Sequence, residues 1–410
     1  MIVWIADYAS NSKYKPGRSF MSSKPGAGIN HKEYGVTSFG LNVYLEETLK
    51  FLGIDPKKDR FAVKISGGPD GDVAGNEILN LGKYYPDTAK VIALTDVSGT
   101  SYDPMGLDLK ELVKLFHQGL PIRHFPPEKL TEGGFILDLR TKREENQFAQ
   151  ATLLWRKKGG QIVNEWLSGS EMNQLFRNNL HRVIVDVFIP AGGRPRTLSE
   201  INYQTYLDGA GKPTSRAIVE GANLYLTPGA RRSLEKLGCL IIKDSSCNKG
   251  GVITSSFEVL AGLCMSEEEF LREKDEYVLE ILELIRKAAL HEARLLFDTY
   301  RETGRFLTDI SDALSEKINR YKYQLLEYLV PHALSKDKND LLIRCLIHYC
   351  PPLLRRKYLE KILSMPDIHK KAIIACHIAS RLIYSRGLAW SPNLSDILPT
   401  LGDDPCLFKE

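Results

Sequence analysis

The sequence predicts an α/β fold: a doubly wound, mostly parallel sheet followed by an all-helical C-terminal region. Three observations carry that prediction. β-prone apolar runs alternate with amphipathic helical runs from "FAVKIS" (61–66) to "CLIIKDSS" (239–246), the order that right-handed βαβ units require. "RVIVDVFIP" (182–190) is almost continuously apolar, as a strand covered on both faces must be. From Ser266 onward no parallel-strand pattern recurs, and helical periodicity takes over.

Taken in order, residues 1–36 hold "YKPGRSFMSSKPGAGIN" and read as irregular chain, a linker or remnant of a preceding domain. Residues 37–52 place Leu41, Tyr44, Leu45, Leu49 and Leu52 at a helical period, with Gly53 as a stop. The strand "FAVKIS" follows, then a glycine turn, the short helix "NEILNLGKYY", the strand "KVIALTDVSG" and the helix "LDLKELVKLFHQG". Between about 120 and 180 the alternation breaks. There "IRHFPPEKL" is a proline-marked loop and "KREENQFAQATLLWRKKGG" reads as a charged helix with a glycine stop. The pattern resumes with "RVIVDVFIP", "SRAIVEGAN", a helix in "TPGARRSLEKLG" and "CLIIKDSS". Pro228 suits that helix's first turn and Gly238 its end. Ser266 and Glu269 form a capping box that Met265 and Phe270 can staple, opening a long helical region. The expected domains are therefore 1–36, a nucleotide-binding domain over 37–264 with a helical insertion near 120–180, and a helical region over 265–410.

Bulk properties exclude several classes. A chain of 410 residues, 43% hydrophobic and 26% charged, has the composition of an ordinary globular protein. Its formal net charge of +4 gives no field that argues for nucleic acid or an anionic membrane. No apolar run approaches the ~20 residues that span a bilayer, and "MIVWIADYASNSKYK" has no basic, signal-like start. Seven thinly spread cysteines are a poor disulfide framework and suit a reducing cytoplasm. Cys345, His348, Cys350, Cys376 and His377 lie on helical segments at spacings that do not converge on a metal, so they read as buried thiols and imidazoles. The expected partners are small molecules and no metal.

The turn in "KISGGPDGDVAGNEI" (64–78) is the chemical signal. Gly68, Gly71 and Gly75 follow a strand and open a helix, so backbone can pass close to a pyrophosphate at the helix's positive end. Asp72 stands where a phosphate approaches, unless its side chain turns away to cap the helix. Asp96 ends the next strand, where a carboxylate hydrogen-bonds a ribose 2′-hydroxyl and disfavours a 2′-phosphate. These features make the fold Rossmann-like and the cofactor NAD. The alternative is a tight βα turn in an unrelated α/β domain.

Several segments together resemble one family, the glutamate dehydrogenases of the large NAD-specific type. The resemblance rests on "GGPDGD" followed by glycine and "NEI", and on "GINHKEYGVTS", "TDVSG", "DVFIPAGGRP", "VEGANLYLTPGAR" and "SCNKGGVITSSFEVLAGL", in the family's order from roughly residue 18 to 263. It implies that Thr37 faces the cofactor and that Gly68, Gly71, Asp72, Val73 and Gly75 form the pyrophosphate turn. It further implies Asp96 near the adenosine ribose and Ala191 beneath the nicotinamide. Asn223 and Asn248 would position the nicotinamide ribose and substrate, and Ser255 would bind the glutamate γ-carboxylate.

The implied reaction is oxidative deamination of glutamate to 2-oxoglutarate and ammonia. The residues alone leave other readings open: Asn223 and Asn248, each two residues from a glycine, as left-handed turn formers, and Ser255 as a helix cap. The family's catalytic lysines and aspartate belong to a preceding substrate domain. "MIVW" resembles a segment just downstream of that aspartate, and Lys24 in "SSKPGAG" reads as a surface lysine. No catalytic residue is assigned, and the chain is expected to bind NAD without turning over glutamate alone. It would act as a homo-oligomer or with the missing N-terminal portion. The alternatives are a non-catalytic or regulatory NAD-binding protein, and a dehydrogenase of an apolar amino acid, against which the Ser255 hydroxyl argues.

Overall fold

The structure is a computed structural model that describes residues 2–12, 17–19, 21–24, 26–143, 151–175, 177–391, 393 and 407–408. The chain divides into two compact units. One comprises Gly35–Gly250 with Phe306–Thr308, the other Met1–Tyr34, Gly251–Arg305 and Asp309–Glu410.

The first unit is built on one sheet of nine strands among the described residues, in the order β6-β5-β4-β3-β2-β1-β7-β8-β9. β1 (Phe61–Ser66), β2 (Ala89–Thr95), β7 (Val185–Pro190), β8 (Ser215–Val219) and β9 (Leu240–Ile242) pair in parallel. Val63 lies opposite both Val91 and Val187, and Val187 opposite Ala217. Val63, Ile65, Val187, Ile189, Ala217 and Ile218 are completely buried, each larger side chain contributing roughly 1.5–3 kcal/mol. Asp186 interrupts the apolar run of β7, but its carboxylate accepts the Ala62 amide at 2.9 Å and faces Arg216 at 3.5 Å. Helix Val73–Tyr84 packs between helices Val36–Phe51 and Leu109–Gln118, and helix Pro228–Lys236 lies against β9. The expected doubly wound α/β domain is thus present, with Pro228 as the first residue of its helix and Gly238 beyond the end at φ +90°.

The other half of the sheet departs from the sequence reading. β3 (Gly99–Tyr102), β4 (Phe135–Asp138), β5 (Thr152–Lys158) and β6 (Gln161–Leu167) extend it antiparallel from β2. The charged helix expected over "KREENQFAQATLLWRKKGG" is strand β5 where the structure describes it; residues 144–150 lie outside the described residues. Gly159 and Gly160 are a hairpin turn rather than a helix stop. Their φ values of +60° and +77°, between the facing pair Lys158 and Gln161, match the turn whose twist suits antiparallel strands. The Glu132 carboxylate accepts both turn amides, at 2.8 and 3.0 Å.

In the second unit no strand occurs among the described residues. Helix Glu267–Thr303 opens on the expected capping box: Ser266 Oγ accepts from the Glu269 amide at 3.2 Å, and Glu269 accepts from the Ser266 amide at 2.7 Å. Met265 and Phe270 are both buried, and Gly304 at φ +66° ends the helix. Helices Leu307–Leu329, Leu341–Tyr349 and Asp367–Arg386 follow. The start of the chain, expected to be irregular, is instead helical over Ile2–Asn11, where Trp4 and Tyr8 stack one turn apart at 5.7 Å. Cys345 and Cys350 are buried free thiols as expected, but Cys376 is exposed; Cys406 is outside the described residues. No helix among the described residues is long and apolar enough to cross a membrane.

Candidate functional site

β1 lies between β2 and β7, so the chain leaves its carboxyl end in one direction and returns beside it from the other. At such a switch point the connections diverge and open a crevice above the strand ends. Backbone crosses closely there. The Ala191 amide donates to the Ser66 carbonyl at 2.8 Å, and Ser66 Oγ donates to the Gly192 carbonyl at 2.6 Å. Gly67, at φ +117°, adopts a conformation that only glycine takes without strain, and a Cβ there would lie 2.7 Å from Ala74 Cβ.

The turn beyond Gly67 closes on itself, the Gly71 amide donating to the Gly68 carbonyl at 2.9 Å. A side chain at Gly68 would overlap Oδ2 of Asp96 and lie 2.5 Å from Oδ1 of Asp70. Gly75 serves packing: a Cβ would overlap the Pro69 carbonyl oxygen and meet Phe116 Cδ2 at 2.6 Å, so it seats the helix against its neighbour. Val73 begins the helix, whose first-turn amides have no intrahelical acceptors and point toward the turn. Asp72 occupies the N-cap position, but its side chain makes no capping bond. Its carbonyl instead accepts the Asn76 amide at 3.2 Å and Asn76 Nδ2 at 2.8 Å.

Asp96 is oriented from behind. Oδ1 accepts Ser98 N and Ser98 Oγ, each at 2.6 Å, and Gly99 N at 3.2 Å, while Oδ2 accepts Ile122 N at 2.8 Å. Thr37 is buried at the start of helix Val36–Phe51. Its neighbour Ser38 donates to the Val73 carbonyl at 2.7 Å, which joins that helix to the start of the turn's own helix. A Cβ at Gly250 would overlap the Val36 carbonyl, so the "NKGG" segment closes the same corner.

Ala191 and the "VEGAN" loop supply the other wall. The Ala222 amide donates to the Pro190 carbonyl at 2.6 Å. A Cβ on Gly221 would lie 2.5 Å from Leu41 Cδ1 and 2.9 Å from Val73 Cγ1. Asn248 Nδ2 donates to Asn223 Oδ1 at 2.6 Å and to the Gly221 carbonyl at 3.3 Å. Neither asparagine is left-handed: Asn248 has φ −100°, and the positive φ of +58° falls on Leu224. The geometry therefore removes the turn-forming explanation for these two side chains. One unit thus gathers Thr37, Gly68, Gly71, Asp72, Val73, Gly75, Asp96, Ala191, Asn223 and Asn248 around the ends of its parallel strands.

Ser255 belongs to the other unit. It stands in the interior of helix Lys249–Cys264, not at a cap, with Oγ 3.1 Å from Ser22 Oγ and 3.5 Å from His31 Nε2. Lys24 is not a surface lysine. Its side chain is largely covered, donating to the Met21 carbonyl at 2.6 Å and to Glu258 at 3.3 Å. Glu258 in turn accepts the Ser23 and Ile29 amides at 2.8 and 3.0 Å, which ties those two residues to the helix. Periodicity carried no sign of that carboxylate, because its partners are backbone amides distant in sequence.

Sequence reading also passed over two buried charged groups of the first unit. Lys64 in β1 donates to the carbonyls of His181 and Val183 and to Thr214 Oγ1. Arg231 bridges Glu220 and Asp244 beside the asparagine pair.

The chain is 32% identical to the probable NAD-specific glutamate dehydrogenase of Schizosaccharomyces pombe, over 96% of this chain and 34% of that protein. It is 34% identical to glutamate dehydrogenase 2 of Dictyostelium discoideum, over 94% of this chain and 36% of that one. It therefore spans about a third of the length of these curated relatives. Among solved structures, the hetero-hexameric glutamate dehydrogenase of Thermus thermophilus (Leu-bound form) aligns with 20% identity and a TM-score of 0.46, over 75% of this chain and 57% of that chain. Residues 27–302 match the family described as Glutamate/Leucine/Phenylalanine/Valine dehydrogenase, and the chain belongs to that family.

Proposed function

We propose that this chain supplies the cofactor-binding part of an enzyme for NAD-dependent oxidative deamination of L-glutamate to 2-oxoglutarate and ammonia. The observation that carries the reading is the cradle at Gly68, where the backbone passes so close to the Asp96 carboxylate that a Cβ would overlap it, beside the amides of an opening helix. Such a cradle suits a pyrophosphate whose adjoining ribose hydroxyls meet a carboxylate. Gly68, Gly71 and Val73 would hold the pyrophosphate, with Gly75 seating their helix. Asp72 would contribute through its backbone, and Thr37 would close the near wall. Asp96 would accept from the adenosine ribose and repel a 2′-phosphate. Ala191 would underlie the nicotinamide, flanked by Asn223 and Asn248. When bound, NAD supplies the acceptor for the hydride leaving the substrate α-carbon. The protein's part is orientation and the exclusion of water.

Ser255, with Ser22 and His31 beside it, would meet the substrate's γ-carboxylate; a hydroxyl facing an apolar side chain would lose a partner, which favours glutamate over leucine, valine or phenylalanine. The lysines and aspartate of the chemical step would come from a substrate domain outside this chain, in a homo-oligomeric enzyme of the reducing cytoplasm. The free thiols of Cys239, Cys247, Cys264, Cys345 and Cys350, all buried, support that compartment.

Calorimetric titration with NAD and NADP tests the reading. NAD is expected to bind at least about tenfold more tightly than NADP, a difference of roughly 1.4 kcal/mol. Absence of binding by either nucleotide overturns it.

A further inference from the structure

Asn223 and Asn248 stand 2.6 Å apart although they come from different loops, and both are suspended from Asp244. Asp244 Oδ2 accepts the amide of Leu224, the residue after Asn223, at 2.8 Å. The Asp244 carbonyl accepts the Asn248 amide at 3.0 Å, across the short helix Asp244–Cys247. The first of these bonds restrains a strained turn: Leu224 is non-glycine, largely exposed and at φ +58°, and its carbonyl accepts the Arg196 amide at 2.7 Å. Its side chain packs too little to hold that left-handed conformation.

Beside the Ser245 amide, which donates to Oδ1 at 2.8 Å, what fixes the Asp244 carboxylate is Arg231. Its Nη2 lies 3.1 Å from Asp244 Oδ1, while Nε and Nη2 donate to the two carboxylate oxygens of Glu220 at 2.7 and 2.6 Å. The three side chains are 6%, 9% and 0% exposed, respectively, so the bridge works without solvent screening. Glu220 directly follows β8, its amide donating to the Ile242 carbonyl at 3.1 Å. The bidentate fork therefore references Asp244 to the rigid sheet.

We propose that Arg231 is a positioning residue for the nicotinamide end of the bound dinucleotide. By bridging Glu220 to Asp244 it holds the Leu224 turn, and with it the Asn223–Asn248 pair. Without the guanidinium two buried carboxylates are left without their shared counter-charge, Asp244 is no longer held toward Leu224, and the turn relaxes. The proposal rests on the NAD reading above, and its test separates the two.

The probes are NAD and ADP-ribose, which carries the adenosine and pyrophosphate but no nicotinamide. Binding of each is measured by calorimetry to the wild-type chain, Arg231→Met and Arg231→Lys, with thermal unfolding followed alongside. Arg231→Met is expected to lose about tenfold in NAD affinity, the scale of one charge-assisted hydrogen bond, and to keep its ADP-ribose affinity. Arg231→Lys, which restores the charge without the fork, recovers part of the loss. Adding Leu224→Gly to Arg231→Met, so that the turn forms unaided, recovers part of it as well. Equal losses for both ligands, or no loss for either, overturn the inference while leaving the NAD reading intact. A wild-type chain that binds neither probe removes both. Should Arg231→Met not fold, Glu220→Gln keeps the shape but turns one accepting oxygen into a donor facing the guanidinium. It must then show the same NAD-selective loss, and its absence overturns the inference.

Discussion

Replacing Gly68 by alanine tests the cradle directly. The added Cβ would overlap Asp96 Oδ2 and lie 2.5 Å from Asp70 Oδ1. Asp96 cannot swing aside, because four donor groups hold its carboxylate from the far side. Accommodation requires either a shift of the Gly67–Asp72 turn or loss of the 2.8 Å bond from Ile122 N. The first is an overpacking strain of about 1–3 kcal/mol. The second is a hydrogen bond to a charged group, about 1.5–3 kcal/mol. Either displaces the surface proposed to receive the pyrophosphate, so NAD affinity should fall roughly 10- to 100-fold. Stability in urea should fall by about 1–3 kcal/mol. The control is Gly209→Ala, where nothing lies within 4 Å of the added carbon and neither quantity should change. If Gly68→Ala binds NAD and unfolds as the wild type does, the close approach between turn and carboxylate is not what shapes the site.

Three further outcomes follow from the same geometry. Asp96→Ser removes the charge proposed to face the ribose while keeping an oxygen for the Ser98 amide, and it should cut the NAD-over-NADP preference about tenfold in competitive titration. Lys64→Met leaves the Val183 carbonyl without the 2.8 Å donor it now has and should cost about 1–3 kcal/mol in urea unfolding. Burial pushes the Lys64 pKa down, so the unfolded state binds more protons between that lowered value and about 10.4. Wild-type stability should therefore rise with pH through this window, and the variant should lose that rise. His377, buried against the Leu407 carbonyl, is pushed down to about 3 by burial. Between about 3 and about 6.5 only the unfolded chain takes up that proton. The helical unit should thus weaken as pH falls through this range, and less steeply in His377→Gln, as read by circular dichroism.

The parallel half of the sheet was legible because its signals are local. A strand buried on both faces must be apolar along its length, and the turns at its end must be small where backbone crosses backbone. Gly68, Gly71 and Asp96 were found on those grounds, and the structure brings them together. The antiparallel half was not read, for an equally physical cause. "TLLWRKKGGQIVNEWL" contains a paired-glycine hairpin signal, but its exposed strand β6 carries polar residues on both faces, which blurs the period of two. The lysines and glutamates nearby then imitate a solvated helix.

The buried charges were illegible for a different reason. Lys64, Glu220, Arg231 and Asp244 look like surface residues in any window, since each is balanced by groups remote in sequence: Lys64 by the 181–183 turn and Thr214, Glu220 by a helix eleven residues later. A buried ion pair adds little net stability over an apolar substitute of the same shape, because desolvation offsets most of the attraction. Its advantage lies in direction, because a guanidinium fork accepts its partners in one arrangement and an apolar contact tolerates many. At Arg231 the guanidinium bridges Glu220 and Asp244, and Asp244 in turn accepts the Leu224 amide, beside the asparagine pair. On the role proposed for it, substitution of Arg231 should therefore alter discrimination between NAD and ADP-ribose beyond any change in stability.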